Sequence, residues 1–281
     1  MRLCCGIITR NSPAELRETL KSLLDFRLPV VVSDDSDETF AQDTITVCLQ
    51  LGVDYEIGPH RGPVANRLAV AMRVRELKEY SHVLFLDDDM TLTSSVLQSL
   101  SNATVVYPDD IITVAFLDGE DGPLIMPTVV NWKGIRSIPA PLTGGAGLSD
   151  ACMLWPMEAI EKVEWDSTLR YGYAEAWLGA QVYAKGINIR ILPGIMVLHR
   201  QPGRETIFAA DLETARCYYN FLIKALEYGR FVAIMLFVAD FFLSNGKRWV
   251  HRRPLIISSY KMLGICFKEE VRFYPDSSRS I

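Results

Sequence analysis

The sequence lacks the features that mark a zinc-finger, a secreted disulfide-linked or a membrane-spanning protein. Its six cysteines (Cys4, Cys5, Cys48, Cys152, Cys217 and Cys266) are scattered with no C-x-x-C pair. That excludes the usual zinc and redox spacings and fits a reducing compartment. An excess of positive charge is also missing. The 29 Lys and Arg stand against 34 Asp and Glu, a net charge of −5, so nucleic acid is not expected as a partner. No apolar run approaches the roughly 20 residues that span a bilayer; the longest, Phe231 to Leu243, is interrupted by Asp240. The apolar stretch Leu3 to Ile8 that follows Arg2 is too short for the core of a secretory leader, and none is expected.

What the chain does have is a globular composition. Over 281 residues it is 49% hydrophobic and 22% charged, enough apolar matter for a sizeable core and too much for disorder. Its mean hydropathy of +0.13 is high for a fully soluble enzyme. The first half alternates strand-like and helix-like segments. Leu3–Ile8, Pro29–Val32, Val53–Ile57 and His82–Leu86 are short apolar runs that read as strands. Between them, Ser12-Pro13 opens a helix with Leu16, Leu20, Leu23 and Leu24 on one face. Residues 41–51 and Ala65–Tyr80 read as further helices, the latter with Ala65, Leu68, Ala69, Met72 and Leu77 turned inward. Later segments continue the pattern, with Ser94–Leu100, Met157–Val163 and Ala174–Lys185 as helices and Ile111–Phe116, Ile187–Leu192 and Met196–Leu198 as strands. Residues 118–147, rich in Gly and Pro, form a long irregular segment. This order predicts an α/β fold, a mostly parallel Rossmann-like sheet flanked by helices, with ligands beyond the carboxyl ends of the strands.

Asp34 and the triplet Asp87-Asp88-Asp89 would then share one rim. Three adjacent carboxylates repel one another, and a divalent cation with a preference for hard oxygen ligands removes that penalty. A solvated acidic turn before the helix at Ser94 accounts for the triplet equally well.

The context of the triplet favours the cation. Leu84-Phe85-Leu86-Asp87-Asp88-Asp89 resembles the D-x-D motif of GT-A glycosyltransferases, and the surrounding chain resembles family 2 of that class. Ile7-Ile8-Thr9-Arg10-Asn11 is similar to that family's first-strand motif, and Val31-Val32-Ser33-Asp34-Asp35-Ser36 to its second-strand acidic motif. Arg61-Gly62 with Asn66-Arg67 resembles its glycine-rich loop and helix start. Gly145 to Trp155, Trp165-Asp166 and Tyr171 to Gly186 resemble its acceptor-side segments. The resemblance runs over roughly residues 3–200. It implies a GT-A fold and metal-dependent transfer of a sugar from a nucleoside diphosphate sugar to an acceptor hydroxyl, with inversion. It also implies Mn²⁺ or Mg²⁺ as cofactor and a glycan or lipid-linked acceptor. Carried over by residue, it assigns Thr9, Asn11, Asp34, Arg67, Asp87 and Asp88 to the nucleotide, and Asp89, Asp87 and His199 to the metal. The catalytic base falls on Glu175. Here the chain departs from the family, whose glutamate-aspartate pair is Ala174-Glu175; Asp150 is a second candidate. Trp155, Tyr171, Tyr173 and Trp177 serve either as a stacking wall for a sugar or as core. Two other readings remain open: a nucleotide- or glycan-binding relative with weakened catalysis, and a nucleotidyltransferase on a similar sheet. Thr9-Arg10-Asn11-Ser12-Pro13 has no glycine-rich phosphate loop, which disfavours the second.

The expected division is a catalytic domain over residues 1–205, with a nucleotide half at about 1–117 and an acceptor half at 118–205, followed by a helical region over 206–281. That last region joins apolar helices to the basic cluster Lys247-Arg248-Trp249-Val250-His251-Arg252-Arg253. Such a pattern suits peripheral contact with an anionic membrane surface, which would place the protein on the inner, cytoplasmic face. Packing on the core or on a second copy in a homodimer is the rival reading.

Overall fold

The computed structural model describes residues 2–127, 129–130, 136–137, 148, 151–165, 174–200, 218–219, 221–226, 228–229, 231–236 and 239. In its first half, β1 (Leu3–Thr9), β2 (Val30–Asp34), β3 (Asp54–Ile57) and β4 (His82–Asp87) alternate with α1 (Pro13–Leu24), α2 (Glu38–Leu51) and α3 (Pro63–Glu76). Then come β5 (Met90–Thr91), α4 (Ser94–Val106) and β6 (Ile111–Asp118). The short strands β7 (Leu124–Ile125), β8 (Val129–Val130) and β9 (Arg136–Ser137) follow. Last are β10 (Cys152–Pro156), α5 (Met157–Lys162), α6 (Ala174–Ala184) and β11 (Ile189–His199). Residues 221–226 and 231–236 are helical.

The described strands other than β8 and β9 form one sheet in the order β3-β2-β1-β4-β10-β6-β11-β5, with β7 on the side of β6. β3, β2, β1 and β4 are parallel. β10 runs antiparallel to both β4 and β6, β11 is parallel to β6, and β5 is antiparallel to β11. Reversing β10 lets the chain place one strand beside β4 without another crossover helix. The expected α/β sheet with helices on both faces is the observed architecture.

Alternation along the strands divides the core in two. Leu84 and Leu86 face α1, α2 and α4, packing with Leu16, Leu20, Val47, Cys48 and Leu100. Val83 and Phe85 face α3, α5 and α6, packing with Val70, Val74, Ile160 and Trp177. Cys4, Cys5, Cys48 and Cys152 are buried free thiols, and burial pushes the thiols of Cys4 and Cys48 up to about 12. They pack as small core residues.

Two elements differ from the sequence reading. α3 ends at Glu76 rather than Tyr80, because Lys78 takes a left-handed backbone with φ 53°. Its buried face is Val64, Asn66, Arg67, Val70, Ala71 and Val74, while Met72 and Leu77 are exposed. The inward face carries two polar residues in its first turns, so apolar spacing alone selects a rotated face. The two strands expected at Ile187–Leu192 and Met196–Leu198 are one, β11, with its register broken between Ile191 and Met196 around Pro193-Gly194.

Candidate active site

The parallel strands deliver their last residues to one rim of the sheet. There Thr9, Arg10, Ser12, Asp35, Gly62, Asn66, Arg67, the triplet Asp87 to Asp89 and His199 line a cleft of about 260 Å³, closed by Ile8 and Pro63. β1 supplies Thr9, the turn after β2 supplies Asp35, α3 supplies Asn66 and Arg67, and β4 ends in the triplet. His199 is the last residue of β11, paired with Met90.

Each aspartate of the triplet has a different partner. Arg67 Nη2 donates to Asp87 Oδ1 at 2.7 Å, with only 6% of the arginine side chain exposed against 30% for the aspartate. The Thr9 hydroxyl donates to Asp88 Oδ2 at 2.6 Å. Asp89, 6% exposed, meets His199 Nε2 at 3.0 Å through Oδ2. The repulsion that the sequence poses is thus divided among a guanidinium, a hydroxyl and an imidazole.

His199 lies between two acids, with Nδ1 2.7 Å from Asp118 Oδ1. The hydrogen bond to Asp89 is the largest influence on its pKa and, against the opposing effect of burial, pushes it up to about 9. Asp89 and His199 thus meet through a single hydrogen bond inside the cleft. One carboxylate oxygen and one imidazole nitrogen would form a donor pair that fits Mn²⁺ better than Mg²⁺, whose preference is for oxygen alone. Among the described residues no group of three or more His, Cys, Asp or Glu side chains is placed to hold a metal ion.

The remaining predicted residues are spread around this centre. Asn11, at a left-handed φ of 55°, clips the turn after β2 by exchanging hydrogen bonds with Asp37 at 2.8 Å. Asp34 is buried, its oxygens accepting from Ser36 N–H at 2.8 Å and the Tyr55 hydroxyl at 3.2 Å. The neighbouring Asp35 lines the cleft instead, held by the N–H groups of His60 at 2.8 Å and Gly62 at 3.2 Å. Glu175 lies in the first turn of α6, half-buried, and is not among the described residues lining the cleft. Trp155 and Trp177 are core residues. Asp150, Tyr171, Tyr173 and the basic cluster at 247–253 lie outside the described residues.

Sequence reasoning passed over Asp118, Arg10, Asn66 as an inward-facing residue, and Arg200. Asp118 had a usable signal, since it is an acid at the carboxyl end of a strand. Arg200 had none, because its partners lie up to 185 positions away.

The fold has counterparts among solved structures. In fold, the chain is similar to S. aureus TarS 1–349 in complex with UDP-GlcNAc, with a TM-score of 0.58 and 14% identity, covering 94% of this chain and 80% of that one. It is also similar to GalNAc-T7 with UDP, GalNAc and Mn²⁺, with a TM-score of 0.62 and 12% identity, covering 80% of this chain and 50% of that one. A third similar structure is the mannosyltransferase PcManGT from Pyrobaculum calidifontis with GDP-Man and Mn²⁺, with a TM-score of 0.55, 11% identity, and coverage of 95% and 86%. The chain spans 43% of a longer TarS structure. No curated protein matches it in sequence. Residues 4–160, more than half of the chain, match the description Glycosyl transferase family 2. The chain belongs to glycosyl transferase family 2, a family of enzymes, and has the GT-A fold.

Proposed function

We propose that this chain transfers a sugar from a nucleoside diphosphate sugar to an acceptor hydroxyl with inversion, using Mn²⁺ or Mg²⁺. The observation that carries this reading is the pairing of Asp89 with His199 at the floor of a cleft that also presents Arg67 and Thr9. Thr9, Asn11, Asp34, Arg67, Asp87 and Asp88 form the nucleotide side, where the guanidinium of Arg67 brings positive charge toward the phosphate oxygens. Asp89 and His199, with Asp87 nearby, hold the cation. When bound, that ion supplies positive charge to the departing diphosphate.

In the transfer, the acceptor oxygen bonds to the anomeric carbon as the bond from that carbon to the diphosphate oxygen breaks. The electron pair leaves with the diphosphate, and the acceptor proton passes to the Glu175 carboxylate. A lipid-linked acceptor and a membrane-facing role for residues 206–281 suit the apolar and basic pattern of that region. Co-sedimentation of the full chain with phosphatidylglycerol vesicles tests this role. Failure to sediment returns the region to packing on the core or on a second copy.

The main test is transfer across a panel of UDP- and GDP-sugars with Mn²⁺. Asp89→Ala should lower transfer by at least about 10²-fold, the upper range for loss of a supporting metal contact; near-normal transfer by this variant sinks the metal assignment. Glu175→Gln should lose transfer while keeping nucleotide affinity, and unchanged transfer moves the base elsewhere.

A further inference from the structure

Arg200 follows His199 where β11 ends, and all three of its guanidinium nitrogens are engaged beneath the acidic triplet. Nη1 donates to the Met90 carbonyl and to Thr91 Oγ1, each at 2.8 Å. Nη2 donates to the Glu15 carbonyl at 2.9 Å and Thr19 Oγ1 at 2.8 Å, with the Asp88 carbonyl at 3.4 Å. Nε faces Glu15 Oε2 at 3.3 Å, and the Arg200 backbone N–H donates to the Asp89 carbonyl at 2.9 Å. Three consecutive carbonyl oxygens, of residues 88, 89 and 90, therefore end on one arginine. The wholly buried Thr19 hydroxyl reinforces two of them, at 2.5 Å from the Asp88 oxygen and 2.9 Å from that of Met90.

This cluster is where the site needs support. Among the described residues, the strand pairing that aligns Asp89 with His199 is the ladder of β5 on β11, which has two residue pairs, Leu198 with Thr91 and His199 with Met90. A ladder that short is marginal by itself. The carbonyls of Asp88, Met90 and Glu15 that converge on the side chain need donors in a planar fan, which a guanidinium provides and an ammonium does not.

We propose that Arg200 is a positioning residue. It ties the backbone of Asp88 to Met90 to α1 and to the end of β11, and so sets the spacing between Asp89 and His199 at which a divalent cation binds. The metal part of this proposal rests on the reading of that pair given above; the backbone part does not.

The test uses the full chain and two readouts. Hydrogen exchange of the amides of residues 87–91, measured without metal, should quicken by about tenfold or more in Arg200→Gln while the amides of β1 keep their protection, as for a local opening. Mn²⁺ uptake, read as loss of the free-ion EPR signal with UDP or GDP present, should weaken by about 10-fold or more in Arg200→Gln and less in Arg200→Lys, the scale of lost supporting contacts at metal sites. Thr19→Val, which removes the shared hydroxyl, should shift both readouts the same way. A residue that only stabilises the fold would lower the melting temperature and leave Mn²⁺ uptake by the folded protein unchanged; that result overturns the proposal. If Arg200→Gln fails to fold, Arg200→Lys and Thr19→Val decide on the same criteria. Absence of Mn²⁺ uptake by the unaltered chain sinks the metal reading itself, and the exchange data then judge the backbone clamp alone.

Discussion

The strands β3, β2, β1 and β4 and the strands β10, β6, β11 and β5 contribute to the cleft in different ways. The first group is wholly parallel and ends in a dense polar rim, supplying with its loops and α3 nearly all the described lining, from Thr9 and Asp35 to Arg67 and the triplet. The second group is mixed in direction and sends one described side chain, His199, into the cleft. That histidine is anchored by Asp118 on the adjacent strand and stands beside the Arg200 cluster. One half is a polar wall in which Arg67 and Thr9 offset Asp87 and Asp88. The other places a single histidine through long-range contacts. Damage to the first should weaken nucleotide binding, and damage to the second should spare it.

The sharpest way to break this comparison is Arg67→Met. Arg67 is nearly buried and is paired with Asp87, so the substitution takes a guanidinium away from a carboxylate that stands beside two others. Removing one partner of a buried pair costs about 3–5 kcal/mol, and the partial exposure of Asp87 places the loss at the lower end. UDP or GDP affinity, measured by calorimetry, should fall together with stability. Arg67→Lys should recover part of the stability. Unchanged nucleotide affinity in Arg67→Met would remove Arg67 from the wall.

A pair of glycine substitutions sharpens the contrast at a smaller scale. A Cβ at Gly58 would lie 2.3 Å from Asp35 Oδ1, 2.6 Å from Asn66 Oδ1 and 3.0 Å from the Asp34 carbonyl carbon. Gly58→Ala must therefore displace the polar rim, with an overpacking loss of about 1–3 kcal/mol and weaker nucleotide binding. Gly194, in β11, has φ +72° and open space around it, so Gly194→Ala meets only backbone strain of about 1–2 kcal/mol. Denaturant titration and calorimetry should show both variants less stable but only Gly58→Ala impaired in nucleotide binding. Equal impairment in both would erase the distinction between the halves.

The same contrast explains what was legible in the sequence. The first half is built from local signals. Short apolar runs end in Thr9, Asp34-Asp35 and Asp87, and Pro13 and Pro63 open the helices they precede, so the alternation of strands and helices and the polar rim follow from reading along the chain. The misreading of α3 is instructive because polar residues stand in place of apolar ones on its buried face. Asn66 bonds the Ser33 carbonyl at 3.1 Å, and Arg67 reaches Asp87, so a search for apolar periodicity turns the helix the wrong way. In the second half the decisive contacts are distant in sequence. His199 with Asp118 and Arg200 with Glu15 are separated by 81 and 185 positions, and no local pattern encodes them. Pro193-Gly194 looks like a strand break in sequence, yet the ladder resumes after it because β6 continues alongside.

The smallest effect lies at the seam between the two halves, on the rim away from the cleft. His82 begins β4 opposite Pro156 of β10. It is 3% exposed, its Nε2 donating to the Pro108 carbonyl at 3.0 Å and its Nδ1 accepting from the Ser81 hydroxyl at 2.9 Å. Burial is the main cause holding its pKa below the ordinary histidine value of 6.5. A neutral imidazole with both nitrogens bonded satisfies the site. Because the folded pKa is depressed, the unfolded chain binds the proton more readily, so the stability from His82 is fully present above the unfolded pKa. It is lost as pH falls from there through the folded value. Melting temperature should therefore decline as the pH is lowered below 6.5, and His82→Gln should flatten that decline while lowering stability at neutral pH through imperfect replacement of the two hydrogen bonds. An acid-side slope that is the same in both proteins would assign it to the carboxylates of the cleft, and the seam would then be insensitive to protons.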